Sequence, residues 1–125
     1  MFKKIDHVEI ITDDLERSVD FYTNVLGFKH KLRQRIERST LGVPIDVVLL
    51  DLGGTAVELI AYTGATVAPS PAGEHLGYRM MALEVEDMDK ALDYIRARGP
   101  AGAGMAFLGV RLVILRRHGN AGVRI

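Results

Sequence analysis

The hydrophobic and polar positions of this chain change period in a way that predicts its elements. Across residues 5–12, Val8 and Ile10 alternate with His7 and Glu9, the period of two expected of a strand. The period then lengthens: Leu15, Val19, Tyr22 and Leu26 recur at helical spacing, and Gly27 stops the helix. Asp13, with Glu16 three residues on, resembles a capping box at its start. Three more strands are predicted over 28–38, 43–52 and Thr55–Tyr62, with Gly53-Gly54 as a tight hairpin between the last two. The order is βαβββ. Residues 63–77, with Pro69 and Pro71 among glycines and alanines, read as a linker.

The opening pattern then returns. Setting Ile11 to Tyr22 over Glu84 to Ile95, at a constant offset of 73, superposes Asp14 on Asp87 and Asp20 on Asp93. Arg17 meets Lys90, Leu15 meets Met88 and Val19 meets Leu92. A strand over 78–85 leads into a helix whose stripe is Met88, Ala91, Leu92 and Ile95, ended by Gly99-Pro100. The pattern predicts an α+β fold of two similar units, the first about 1–62, a linker about 63–76, and the second about 77–125. A chance match between two amphipathic helices is the alternative, since acidic starts and apolar stripes are common to helices.

Strand parity assigns faces. If the helix covers Val8 and Ile10, then His7 and Glu9 point to the other side of the sheet. In the fourth strand Val57 and Leu59 alternate with Ala56, Glu58 and Ile60, so Glu58 meets His7 if those two strands are neighbours. Arg33 and Arg35 share a strand face and are candidates for gripping a carboxylate or phosphate; a charged, solvated edge strand is the other reading.

Composition narrows the chemistry. A chain of 125 residues, 48% hydrophobic and 26% charged, can bury one real core. Its apolar runs are too short for a bilayer, and Met1-Phe2-Lys3-Lys4-Ile5-Asp6 lacks an apolar stretch behind its lysines, so the expectation is a cytoplasmic protein with no membrane contact. With no cysteine, any metal site must use histidine and carboxylate ligands. Net charge is zero, but every Asp and Glu lies at or before Asp93 while six arginines follow it. Those arginines alternate with Leu, Val and Ile and lack lysines or stacking aromatics, so no nucleic-acid partner is expected.

The segment Ile5-Asp6-His7-Val8-Glu9-Ile10, followed by Asp14-Leu15-Glu16-Arg17-Ser18-Val19-Asp20-Phe21-Tyr22 and Val25-Leu26-Gly27-Phe28, resembles the opening of a vicinal oxygen chelate (glyoxalase-like) protein. Gly53-Gly54 before Val57-Glu58-Leu59 resembles that family's fourth strand. The family includes glyoxalase I, methylmalonyl-CoA epimerase, extradiol dioxygenases, and fosfomycin and bleomycin resistance proteins. The resemblance implies one domain over 1–125 in which two βαβββ units form a curved mixed-sheet cup. It implies His7 and Glu58 as ligands of a divalent ion (Zn, Ni, Co, Mn or Fe), with the ion polarising a substrate oxygen and Glu58 moving a proton.

The second unit departs from that pattern. At the same offset the counterpart of His7 is Met80, a poor ligand for these ions, and the counterpart of Glu58 is expected in the last strand, where Ala121-Gly122-Val123-Arg124-Ile125 offers no carboxylate. A cup-facing Arg124 would repel a cation. Glu9, Glu84 and His75 are conceivable replacements. The acid-free, Gly- and Ala-rich run from Gly99 is expected to leave the second unit irregular at its C-terminal end, as an altered reading frame would.

Two functions follow as expectations. One is a metal-dependent lyase, isomerase or epimerase acting on a small oxygenated substrate; the alternative is a metal-free small-ligand-binding protein of the bleomycin-resistance type, with His7 a hydrogen-bonded sheet residue. A fold kept only as an interaction module is a third reading. The resemblance implies a homodimer in each case.

Overall fold

The structure, a computed structural model, describes residues 1–69, 71, 73–78, 80–98, 112–116 and 122–124, with side chains through Arg98. The chain divides into two compact units, Met1–Ala68 and Pro69–Ile125. Among the described residues no helix is long and apolar enough to cross a membrane.

The first unit contains β1 (His7–Ile11), α1 (Leu15–Asp20), β2 (Lys29–Ile36), β3 (Ile45–Leu52) and β4 (Thr55–Tyr62). Its sheet order is β1-β4-β3-β2, with β1 parallel to β4 and the other neighbours antiparallel. Two glycines at positive φ, Gly53 at 62° and Gly54 at 87°, make the β3–β4 hairpin, a conformation that residues with a Cβ resist. The pairing condition left open by the sequence is therefore met: β1 lies beside β4.

Helix α1 starts one residue later than the capping-box reading. Asp14, extended at φ −133° and ψ 91°, caps it, its carboxylate accepting from the Arg17 amide at 3.0 Å. Glu16 does not reach back to the cap but pairs with Arg33 on β2. Arg33 offers a full positive charge where the cap offers only one amide, so the ion pair holds the glutamate. The helix then widens to i→i+5 bonding over Phe21–Val25, where Leu26 donates to the Phe21 carbonyl at 3.1 Å. Gly27, at φ 79°, turns the chain out of the helix.

The helix packs on β4, and Ile10, Leu15, Tyr22, Phe28, Val48, Leu50, Val57 and Leu59 are buried. Tyr22 meets Phe28 edge to face at 5.2 Å between centroids. Each such side chain removed from water contributes about 1.5–3 kcal/mol. Where β1 ends, the buried Thr12 hydroxyl bonds the Ser18 hydroxyl at 2.7 Å, and the Thr12 amide donates to the Ile60 carbonyl at 2.8 Å. This network ties the strand to both the helix and β4, so the position of β1 on the sheet edge is fixed.

In the second unit β5 (Met81–Val85) leads to α2 (Met88–Arg98), and β6 (Leu112–Arg116) and β7 (Gly122–Arg124) complete a sheet of order β5-β6-β7. The internal repeat is visible in the caps. Asp87 accepts from the Lys90 amide at 3.1 Å, as Asp14 does from Arg17, and Ala91 donates to the Asp87 carbonyl as Ser18 does to that of Asp14. The strand beside β5 is β6, parallel to it, and β7 pairs with the far edge of β6, so the last strand, where the counterpart of Glu58 is expected, is not the neighbour of β5. The run Leu112-Val113-Ile114-Leu115 is rich in strand formers, whereas Gly122 weakens the short final strand. The stop at Gly99-Pro100, the run that follows it, the turn over 117–120 and the side chain of Arg124 lie outside the described residues.

Candidate functional site

Directly opposed residues on paired strands point to one face of the sheet, so the register can be read as rows. One row crosses all four strands as Glu9, Glu58, Leu49 and Leu32. The row on one side is His7, Ala56, Asp51 and Lys29; the row on the other is Ile11, Ile60, Val47 and Gln34. All lie on the face that α1 does not cover. His7 and Glu9, two residues apart on the edge strand, therefore stand beside Glu58 on the neighbouring strand.

The side chains converge. One ligand atom from each of His7, Glu9 and Glu58 lies within 4.8 Å of the other two. His7 and Glu9 are exposed and Glu58 is half-buried, so a small molecule can approach from solvent. His7 Nε2 lies 3.8 Å from Glu9 Oε1, and its Nδ1 lies 3.1 Å from Asp6 Oδ2. Asp6 in turn sits 3.9 Å from the Lys4 ammonium. A ring that donates Nδ1–H to a carboxylate keeps its Nε2 lone pair free for a ligand, the arrangement that orients metal-bound histidines.

Charge is distributed to match. The Asp6 hydrogen bond raises the His7 pKa above the ordinary 6.5; burial opposes it, and the nearby negative charges of Glu58, Asp6 and Glu9 add smaller upward contributions. The same bond, with Lys4, holds Asp6 below the usual carboxylate range. Among the described residues no lysine or arginine pairs with Glu9 or Glu58.

The donor set suits a divalent ion: one imidazole and two carboxylates are the borderline-to-hard ligands of Zn, Mn, Fe, Co or Ni. Ligand bonds of about 2.0–2.2 Å put two ligands at most about 4.4 Å apart, so a small rotation of an exposed glutamate closes the present spacing.

Sequence reasoning singled out His7 and Glu58, and the fold brings them together with Glu9. It missed Asp6, whose only sequence signal is its place directly before His7. The other candidates lie elsewhere. Arg33 pairs with Glu16, and Arg35 with Glu37 at 3.2 Å and Asp46 at 3.1 Å, so both guanidiniums are engaged by acids of their own unit. His75 directs Nδ1 at the Gly73 carbonyl and Nε2 at that of Tyr78, at 3.3 and 3.0 Å. Glu84 is an exposed residue of β5. In the second unit the position of Glu9 is Ala82, and its partner across the parallel pair is Val113.

Residues 4–122 match the sequence pattern of the Glyoxalase/Bleomycin resistance protein/Dioxygenase superfamily. No curated protein matches the chain significantly. Solved structures do. A glyoxalase family protein from Bacillus cereus is similar at 22% identity and a TM-score of 0.69, covering 79% of this chain and 74% of its own. Glyoxalase I of Leishmania major, described as trypanothione-dependent, is 26% identical at a TM-score of 0.60, covering 77% of this chain and 66% of its own. The fosfomycin resistance protein FosX of Listeria monocytogenes, solved with Mn(II) and sulfate, is 16% identical at a TM-score of 0.56, covering 78% and 72%.

Proposed function

We propose that this chain, which belongs to the Glyoxalase/Bleomycin resistance protein/Dioxygenase superfamily, is a divalent-metal-dependent lyase, isomerase or epimerase acting on a small oxygenated substrate. The observation that carries this reading is the convergence of His7 and Glu58 on one sheet face, at an end where His7 and Glu9 are exposed, while Val47 and Ile60 farther along the same face are buried. An ion held there supplies Lewis acidity to a substrate oxygen. The remaining chemistry belongs to the chain. His7 binds through Nε2, its ring oriented by Asp6. Glu58 has two carboxylate oxygens, one to bind and one to accept a proton from the substrate carbon beside the polarised oxygen. Ile11, Leu32 and Ile36, exposed at 47%, 45% and 38%, lie on the same face by register, and they suit the apolar part of a substrate whose oxygens sit at the ligands. Action as a homodimer in the cytoplasm belongs to the same proposal.

A second reading draws on a specific observation, the absence of ligand types at Met80, Ala82 and Val113. On that reading the same apolar face holds a small ligand without metal.

The deciding experiment is elemental analysis of the tag-free protein against a His7→Ala/Glu58→Ala double variant. Stoichiometric metal in the wild type, lost in the variant, is the expected result. No metal in either, even after incubation with Zn, Ni, Mn and Fe, would establish the metal-free reading instead.

A further inference from the structure

Resting on the metal reading above, we infer that Glu9 is a third protein ligand and that the ion is held by His7, Glu9 and Glu58 wholly within the first unit. A site built from two protein ligands is weak, whereas catalytic ions are commonly held by three with a position left for substrate. At the positions of the second unit equivalent to His7, Glu9 and Glu58 stand Met80, Ala82 and Val113, none of them an oxygen or nitrogen ligand.

Glu9 meets the requirement by placement. It follows His7 by two residues, so it shares that residue's face, and the β1–β4 register sets it directly opposite Glu58. Its Oε1 lies 3.8 Å from His7 Nε2, too far for a hydrogen bond and within the span of two ligands sharing one centre. Like charges directly opposite on neighbouring strands destabilise a sheet. Yet among the described residues neither glutamate has a lysine or arginine partner. A shared cation removes that repulsion. Asp6 supplies an independent sign, since its carboxylate holds Nδ1 of the ring and leaves Nε2 on the side of the two glutamates.

The test uses the full chain, stripped of metal and titrated with Mn(II), with free Mn(II) followed by electron paramagnetic resonance. Co(II) absorption is recorded in parallel as a report on the ligand set. The wild type is expected to bind one equivalent. Glu9→Gln should weaken binding roughly a hundredfold or more, beyond the loss typical of an outer-shell residue, and should alter the Co(II) spectrum. Glu84→Gln should match the wild type. If Glu9→Gln binds as the wild type does while His7→Ala loses the ion, Glu9 is not a ligand and the metal reading survives without it. If the wild type binds neither ion, the inference and the metal reading fail together. Should circular dichroism show Glu9→Gln misfolded, Glu9→Asp replaces it, and an unchanged Co(II) spectrum in that variant overturns the assignment.

Discussion

The two units open alike and then diverge in what they set beside their first strand. Each begins with a strand that runs into a helix capped by an aspartate, Asp14 or Asp87, whose carboxylate accepts from the amide three residues on. Each pairs its opening strand with a parallel neighbour. In the first unit that pairing puts Glu9 against Glu58; in the second it puts Ala82 against Val113. The caps are copied because every helix start must satisfy its free amides. The carboxylates are not, because a strand pair folds as well with apolar residues there. The scaffold of the repeat and its chemistry thus answer to separate demands.

Three measurements would break or sharpen that contrast. The largest effect is expected in the core. Leu59, fully buried between β1 and β3, should cost about 2–5 kcal/mol when replaced by alanine. Leu83 on β5 is only half-buried, and its alanine variant should cost clearly less. Denaturant unfolding of both variants checks this, and equal losses would erase the difference between the two sheets.

A smaller effect is expected at the caps. Asp14→Ala and Asp87→Ala should each destabilise by about 1 kcal/mol, the usual value of a side-chain cap. Similar losses in the two variants would confirm that the repeat is energetic as well as geometric. A loss confined to one would limit it to appearance.

The smallest effect concerns His7 in the metal-free protein. Its imidazole should titrate above 6.5 when followed by NMR, and Asp6→Asn should bring the midpoint down, because the hydrogen bond the ring donates to the Asp6 carboxylate is the main cause of the shift. The sign for stability follows. A raised folded pKa contributes stability that is fully present below the unfolded pKa and lost as pH rises through the folded value. With the ring open to solvent that contribution is small. A midpoint unmoved by Asp6→Asn would remove Asp6 as the orienting residue.

Much of the site was legible in the sequence. Alternation over His7, Val8, Glu9 and Ile10 already separates a polar face from a core face, and the Gly53-Gly54 pair announces the hairpin that carries Glu58. Helical spacing and Gly27 likewise mark the helix, although the cap fell on Asp14 rather than Asp13 because neighbouring aspartates have equal capping propensity. For Arg33 and Arg35 the strand face shows which side each arginine takes but not the acids waiting there from α1 and β3.

Local pattern by itself determined the elements, their faces and the repeat, because period and turn chemistry act within a few residues. Only the tertiary structure decided which strands are neighbours. Pairing β1 with β4 brings residues some fifty positions apart into one row, and pairing β5 with Leu112–Arg116 rather than with the final strand sets apolar residues at the equivalent places. Strand pairing depends on competition among distant segments for the same backbone hydrogen bonds, and no short window of sequence contains both competitors.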